Sequence, residues 1–235
     1  YSILDGACRI PALAARAAEL EMPAVALTDH GSLAGSVDLY KAAGDQGIKP
    51  IVGCEVYVAD DRRARTRGYA HLTLLAESNA GYSNLIKLSS LGYLEGYYYK
   101  PRVDWELLES HSTGLIALSG CLGGRLCKAF QESRDNDART DLDRFAQIFG
   151  RDNVYVEIQR HFLRDEEADN RMLVDVAGTF HVPIVASNGV RFVDPAQVDQ
   201  DAKLVVLVGD PVEAGGTESV TQVSLGVGRI TPAAQ

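Results

Sequence analysis

Short unbroken apolar runs alternate along this chain with longer stretches whose apolar positions recur every three or four residues. "AVALTDH" (24–30) opens with such a run and reads as a buried strand. "SLAGSVDLYKAAGDQG" (32–47) carries its apolar residues at helical spacing and ends on a glycine, a helix-stop signal. "PIVGCEVYVA" (50–59) and "AHLTLLAES" (70–78) predict two more strands, and "GYSNLIKLSSLGYL" and "DWELLESHS" predict helices. "GLIALSG" (114–120) is a further strand, followed by a long amphipathic stretch through "RTDLDRFAQIFG". "NVYVEIQ" (153–159), a helix around "NRMLVDVAGTFH" and "VPIVASN" (182–188) complete the series. Repeated βα units with continuous apolar strands predict an α/β protein, a parallel sheet covered by helices, open or closed into a barrel. The Gly-, Ser- and Thr-rich end has no clear period. The reading therefore divides the chain into a main domain, 1–210, and an irregular C-terminal extension, 211–235.

Composition narrows this picture only a little. The chain has 235 residues, enough to bury a substantial core without disulfides. A net charge of −9 argues against a strongly basic, nonspecific nucleic-acid binder. It does not exclude a nucleic-acid substrate, because bound cations invert the field of an acidic cleft. Cys8, Cys54, Cys121 and Cys127 form no CxxC pair, which favours a reducing, cytoplasmic location. No apolar run reaches membrane-spanning length and no signal peptide is evident, so no membrane partner is expected. Because the first residue is Tyr1, the chain is expected to start inside a longer reading frame.

Chemistry-bearing residues gather at the strand ends. "AVALTDHG" ends in Asp29 and His30, "PIVGCEVY" carries Glu55, "YAHLTLLA" carries His71, "GLIALSGC" ends in Cys121, "NVYVEIQ" carries Glu157, and "VPIVASN" ends in Ser187 and Asn188. In parallel α/β folds, active sites collect at the carboxyl ends of strands. Imidazole, carboxylate and thiolate brought together there are the usual ligands of zinc and related ions. Each residue alone also suits a buried core position, and Glu55 least so, since a carboxylate among apolar neighbours needs a cation or strong donors.

At "TDHG", "GIKPIVGCEVYVA", "YAHLTLLA" and "LSGC" the chain resembles the PHP (polymerase and histidinol phosphatase) domain of bacterial DNA polymerase III alpha subunits. "YSILDGACRI", "NLIKLSSLGYLEGYYYKPRVD" and "VPIVASNGVRF" resemble the polymerase branch in particular, and the likeness runs from Tyr1 to about residue 210. The resemblance implies a distorted (β/α)7 TIM-like barrel with up to three metal ions at the strand ends. It implies a metal-dependent phosphoesterase, acting in the polymerase setting as a 3′→5′ proofreading exonuclease on the primer end of DNA. Carried over by motif, Asp5, His30, Glu55, His71 and Cys121 would be metal ligands, with no catalytic residue beyond them. Asp29 would orient His30, and Arg125 and Asn188 would lie near the ions or the phosphate.

Two departures from the family pattern matter. The family's HxH pair is expected just ahead of Tyr1. Its late Asn-Asp-Val-His appears as Asn188-Gly189-Val190-Arg191, so Gly189 supplies no ligand and Arg191 puts a permanent positive charge at a ligand position. The expectation is therefore a partly degenerate, impaired site holding fewer than three ions of zinc, manganese or iron, down to none. The alternative is an inactive scaffold that stabilises the remaining polymerase domains and docks a separate proofreading exonuclease subunit.

Three further stretches stay open at this level. "DDRRARTRG" (60–68) reads as a solvated mixed-charge loop. "GYYYKPR" (96–102) sets aromatic faces beside basic groups, as single-strand binding surfaces do, yet tyrosines before a Pro turn serve equally as packing. "SGCLGGRLCK" (119–128) lacks P-loop spacing, and its glycines can simply allow close packing around Cys121.

Overall fold

In the computed structural model, the described residues are Gly6, 8–161, Leu163 and 166–188, with the backbone of 205–206, 212–213 and 219–220. Among the described residues are seven helices and nine main strands. The strands are β1 (Ala24–Leu27), β2 (Lys49–Val58), β3 (Ala70–Ala76), β4 (Tyr97–Tyr98), β5 (Lys100–Val103), β6 (Leu115–Leu118), β7 (Val154–Gln159), β8 (Ile184–Asn188) and β9 (Val205–Val206). The helices are α1 (Ile10–Glu19), α2 (Ser36–Asp45), α3 (Asn79–Leu94), α4 (Trp105–Ser110), α5 (Arg125–Gln131), α6 (Asp135–Phe149) and α7 (Glu166–Phe180). These contain the predicted series and add α1, β4, β5 and β9 to it. Local chemistry sets several boundaries. Ser78 Oγ accepts from Gly81 N at 3.2 Å to cap α3, and Asp104 accepts from Leu107 N at 3.2 Å to cap α4. The long amphipathic stretch splits into α5 and α6, and α6 buries Ala138, Leu142, Phe145, Ala146 and Phe149 at helical spacing.

The strands form one curled sheet in the order β4-β5-β2-β3-β6-β7-β8-β9, with β1 also pairing on β2. Two expectations change here. The sheet is mixed, because β3 runs antiparallel to both β2 and β6. Residues 59–69 supply no crossover helix between β2 and β3, and a connection of that kind returns the chain antiparallel. The sheet is also a half-barrel: among the described residues no ladder joins β9 to β1, and closure requires one. Residues 211–235, expected to be irregular, contribute a two-residue antiparallel ladder between β10 (Val212–Glu213) and β11 (Ser219–Val220); the rest of that stretch lies outside the described residues.

Both faces of the sheet are covered, which explains the continuous apolar runs. Leu72 and Leu74 point into the large core shared with α3, α5, α6 and α7, while the intervening Leu75 packs with Ala24, Ile51, Ile116, Leu118 and Val185 inside the curl. A third cluster joins α1 and α2 to β1 through Leu13, Ala17, Val25 and Leu39. No helix is long and apolar enough to cross a membrane, among the described residues. The described cysteines are all free thiols.

The loop after β2 is solvated, as its charges suggest, except at Arg62. Arg62 is buried, and its guanidinium meets Asp104 at 2.8 Å, Glu95 at 2.8 Å and Glu106 at 2.8 Å. Arg102, also buried, donates to the carbonyls of Arg62, Ala64, Thr66 and Gly96. A guanidinium presents five donors in a fixed fork, so one side chain holds the loop and the start of the β4–β5 hairpin together.

Candidate metal centre

His30, Glu55, His71 and Cys121 converge at the mouth of the curled sheet, each delivered by a different segment. Beyond the end of β1, Glu55 N donates to Asp29 O at 3.1 Å and Gly31 N donates to Glu55 O at 2.9 Å, so His30 lies alongside Glu55. Gly31 has φ +63°, and a Cβ there would sit 2.7 Å from Pro101 Cγ, so the turn that presents His30 needs glycine. Across the β2–β3 ladder Tyr57 faces His71 and Glu55 faces Thr73. Glu55 and His71 are therefore diagonal neighbours on one face, within side-chain reach.

Cys121 arrives on the loop between β6 and α5. His71 N donates to Gly123 O at 2.9 Å, and Gly123 N approaches Cys121 Sγ at 3.4 Å. Gly123 lies against the His71 ring, where an added Cβ would come within 3.1 Å of Nδ1. Thus "SGCLGG" uses its glycines to bring thiol and imidazole together.

Glu55 Oε1 is the focus. His30 Nδ1 lies 2.7 Å and His71 Nδ1 2.9 Å from it, and Cys121 Sγ lies 3.5 Å from His71 Nδ1. Donor atoms of Glu55, His71 and Cys121 all fall within 4.8 Å of one another. Despite these approaches, Oε1 is buried and accepts no hydrogen bond of good geometry. Two imidazole nitrogens at ion-pair distance, not aligned for hydrogen bonds, gather around one carboxylate oxygen, a donor set that suits a cation. Nitrogen, oxygen and sulfur donors together suit zinc and similar transition ions.

The electrostatics agree. Burial alone would raise the Glu55 pKa, but the two imidazoles outweigh it and hold the carboxyl at about 2. Burial would lower the His71 pKa, but the Cys121 and Glu55 side chains lift it to about 9. The cluster favours positive charge at its centre.

Aromatic rings enclose it. Tyr57 stacks on His30 with centroids 6.1 Å apart, and Tyr69 stacks on His71 at 6.0 Å. Lys100 Nζ lies 5.2 Å from the Tyr57 ring centre, and Lys128 Nζ 5.4 Å from that of Tyr69. Neither tyrosine was singled out in the sequence; their placement depends on the cross-strand register, although "EVYVA" and "YAHL" each set a tyrosine two residues from a ligand.

Behind the cluster, Glu157 on β7 is buried and accepts from Gly120 N at 3.2 Å, Gln159 Nε2 at 3.0 Å and the Ser187 hydroxyl. Burial raises its pKa; the Ser187 and Gln159 hydrogen bonds work against that, and the nearby Glu55 charge adds to it. Glu157 thus ties the Cys121 loop to β7 and β8. The strand-end pattern flagged it without giving it this role.

The other sequence-predicted residues are less central. Asp29 uses its carbonyl to accept from Glu55 N and, at 3.5 Å, from Cys54 Sγ. Arg125 is turned to Asp141 at 2.7 Å and Asp60 at 2.9 Å, so a phosphate would have to compete with both. Asn188 ends β8, and its side chain lies outside the described residues, as do Asp5, Gly189 and Arg191. Cys54 is a buried thiol, as expected, and burial pushes its pKa up to about 12.

The profile of the PHP domain family matches residues 1–161. The chain belongs to the PHP domain family. DNA polymerase III subunit alpha of Treponema pallidum is 41% identical over 213 residues, 88% of this chain and 18% of the relative. That of Thermus aquaticus is 43% identical over 202 residues, 82% of this chain and 16% of the relative. The chain therefore spans less than a fifth of these curated relatives. Two solved structures share the fold at low identity. An amidohydrolase from Chromobacterium violaceum, with bound sulfate and no metal, has a TM-score of 0.50 at 16% identity, covering 87% of this PHP domain and 89% of that chain. A putative metal-dependent phosphoesterase from Bifidobacterium adolescentis has a TM-score of 0.50 at 12% identity, covering 92% and 88%.

Proposed function

We propose that this PHP domain is the amino-terminal part of a bacterial DNA polymerase III alpha subunit and that its strand-end cluster is a divalent-metal phosphoesterase site. The observation that carries the reading is Glu55 Oε1, buried, unsatisfied, and approached by His30 and His71 nitrogens at 2.7 and 2.9 Å. Glu55, His71 and Cys121 would hold an ion, with His30 completing the set. A divalent ion bound there supplies Lewis acidity, polarising a phosphoryl oxygen and lowering the pKa of a water. Around it, Tyr57 and Tyr69 fix the imidazole planes and limit water access. Gly123 leaves His71 the room to face Glu55, and Glu157 holds the Cys121 loop through Gly120 N. The substrate on this reading is the 3′ end of a DNA strand, and the further partners are the remaining polymerase domains. Zinc or iron suits the thiol better than manganese.

A second reading has its own support. Gly189 and Arg191 stand where the family resemblance implies late ligands, which favours a scaffold that stabilises the polymerase and docks a separate exonuclease. Elemental analysis of chain purified without chelator, beside Glu55→Gln, separates the two. Bound zinc, iron or manganese that is lost in the variant is the expected result. Equal metal content in both proteins, or none in either, would overturn the metal-site reading and leave the scaffold.

A further inference from the structure

We propose that the β4–β5 hairpin and the end of α3 form a track for single-stranded DNA that leads to the metal centre. Its far end rests on the metal-site reading above; the track itself rests on different residues. Tyr93, Tyr97 and Tyr99 are 50%, 61% and 60% exposed, a concentration of large aromatic surface that the core does not use. The Tyr93 and Tyr97 rings are nearly parallel, 15° apart with centroids at 6.0 Å. Tyr99 is held at φ +62°, a left-handed conformation that a bulky residue rarely adopts. Arg67 fixes its ring, with Nη2 donating to Tyr99 Oη at 3.1 Å and the guanidinium carbon 4.5 Å from the ring centre. Backbone strain at an exposed aromatic residue points to a use for that ring's position.

Two features select the occupant. Exposed aromatic rings beside cations match unstacked bases and phosphates, whereas the bases of a duplex are already stacked. The second feature is continuity. Lys100 follows Tyr99 directly, lies over Tyr57, and Tyr57 stacks on His30. Aromatic faces and the cations Arg67 and Lys100 thus run from the tyrosines to the candidate ligand cluster. Beneath them, Arg102 bonds to Gly96 and to three carbonyls of the 62–66 loop, so the hairpin is pinned in place.

The test is binding of a short fluorescent oligo-dT to the 235-residue chain, read by anisotropy over a salt series, once with Mn²⁺ and once in chelator. Tyr97→Ala and Tyr99→Ala should each weaken binding about tenfold in both conditions, from the worth of one base–aromatic stack. Tyr97→Phe should bind like wild type, which controls for folding. Arg67→Gln and Lys100→Gln should each lower the slope of log K against log salt by about 0.7. Wild-type chain without affinity for oligo-dT, or alanine variants that bind as it does, would overturn the track. Metal content measured on the same samples keeps the two readings apart. Metal retained with no tyrosine effect refutes the track alone; tyrosine-dependent binding without metal supports the track and refutes only the metal reading.

Discussion

Replacing Arg62 by leucine should cost this PHP domain about 3–5 kcal/mol, the range for deleting one member of a buried ion pair. The partners decide where that cost arises. Glu95 and Glu106 are 40% and 62% exposed, so both return easily to water and carry little of that cost. Asp104 is 6% exposed and takes both 2.8 and 2.9 Å bonds from Nη1, as well as the 3.1 Å bond from the Arg62 amide. Without the guanidinium, Asp104 is a stranded buried carboxylate. Since Asp104 also caps α4 through Leu107 N, Asp104→Asn keeps an acceptor for the cap while removing the charge. The double variant Arg62→Leu/Asp104→Asn should therefore recover about 2 kcal/mol of the loss, the scale of an uncompensated buried charge. Urea unfolding followed by far-ultraviolet circular dichroism measures all three proteins. A single variant within about 1 kcal/mol of wild type, or a double variant no better than the single, would refute this account.

Gly123→Ala puts a methyl group 3.1 Å from His71 Nδ1 and 3.2 Å from Cε1, so the ring must shift by a few tenths of an ångström. Competition with a chromophoric chelator should show zinc affinity falling about tenfold, as for other disturbances of ligand orientation, while the urea midpoint barely moves. Unchanged affinity would show that the ring has slack. Metal binding should also depend on pH. Cys121 and Glu55 overcome the effect of burial to hold the His71 pKa at about 9, and a coordinating imidazole must give up that proton. Affinity should thus rise at least tenfold per pH unit below pH 9, more steeply where the Cys121 thiol also gives up its proton, and level off at high pH. Calorimetry in buffers of different ionisation enthalpy would count the released proton, and a flat profile would contradict the assignment.

How much of this was legible in the sequence depended on whether the deciding interaction was local. The strands were readable because both sheet faces are buried, which leaves runs such as "LTLLA" unbroken. Their direction was not, since an apolar run carries no polarity. The missing helical period in residues 59–69 was the clue that β3 turns back antiparallel. The candidate ligands stood out because His30, Glu55 and His71 are polar groups set in or against apolar strands, and each needs a partner. Tyr57 and Tyr69 did not, because their stacking on the imidazoles follows from a register that no single strand encodes. Arg62 was misread for a similar reason. Among "DDRRARTRG" it resembles its solvated neighbours, and the buried partner that distinguishes it lies 42 positions away.

That buried network bears on the choice between nuclease and scaffold. β2 carries both: Glu55 meets the imidazoles, while Tyr57 and Val58, two and three residues on, pair with Arg102 and Val103 of β5. Arg102 in turn holds the loop that contains Arg62, and Ser89 of α3 donates to Gly31 O beside His30 at 3.1 Å. A substitution at either end can therefore loosen the other. Lost polymerase stability after a ligand mutation would follow from the shared strand on both readings, so it discriminates neither. Metal content does discriminate, because the arginine network holds its carboxylates with guanidinium hydrogen bonds and requires no ion. Glu55 Oε1, by contrast, is a buried acid oxygen met by imidazoles rather than by guanidinium hydrogen bonds. The Glu55–His71 pair would serve a scaffold as well, so the Cys121 thiol, drawn to within 3.5 Å of His71 Nδ1, is what tips the balance towards an ion. Carboxylate, imidazole and thiol donors within 4.8 Å of one another favour an ion over a relic.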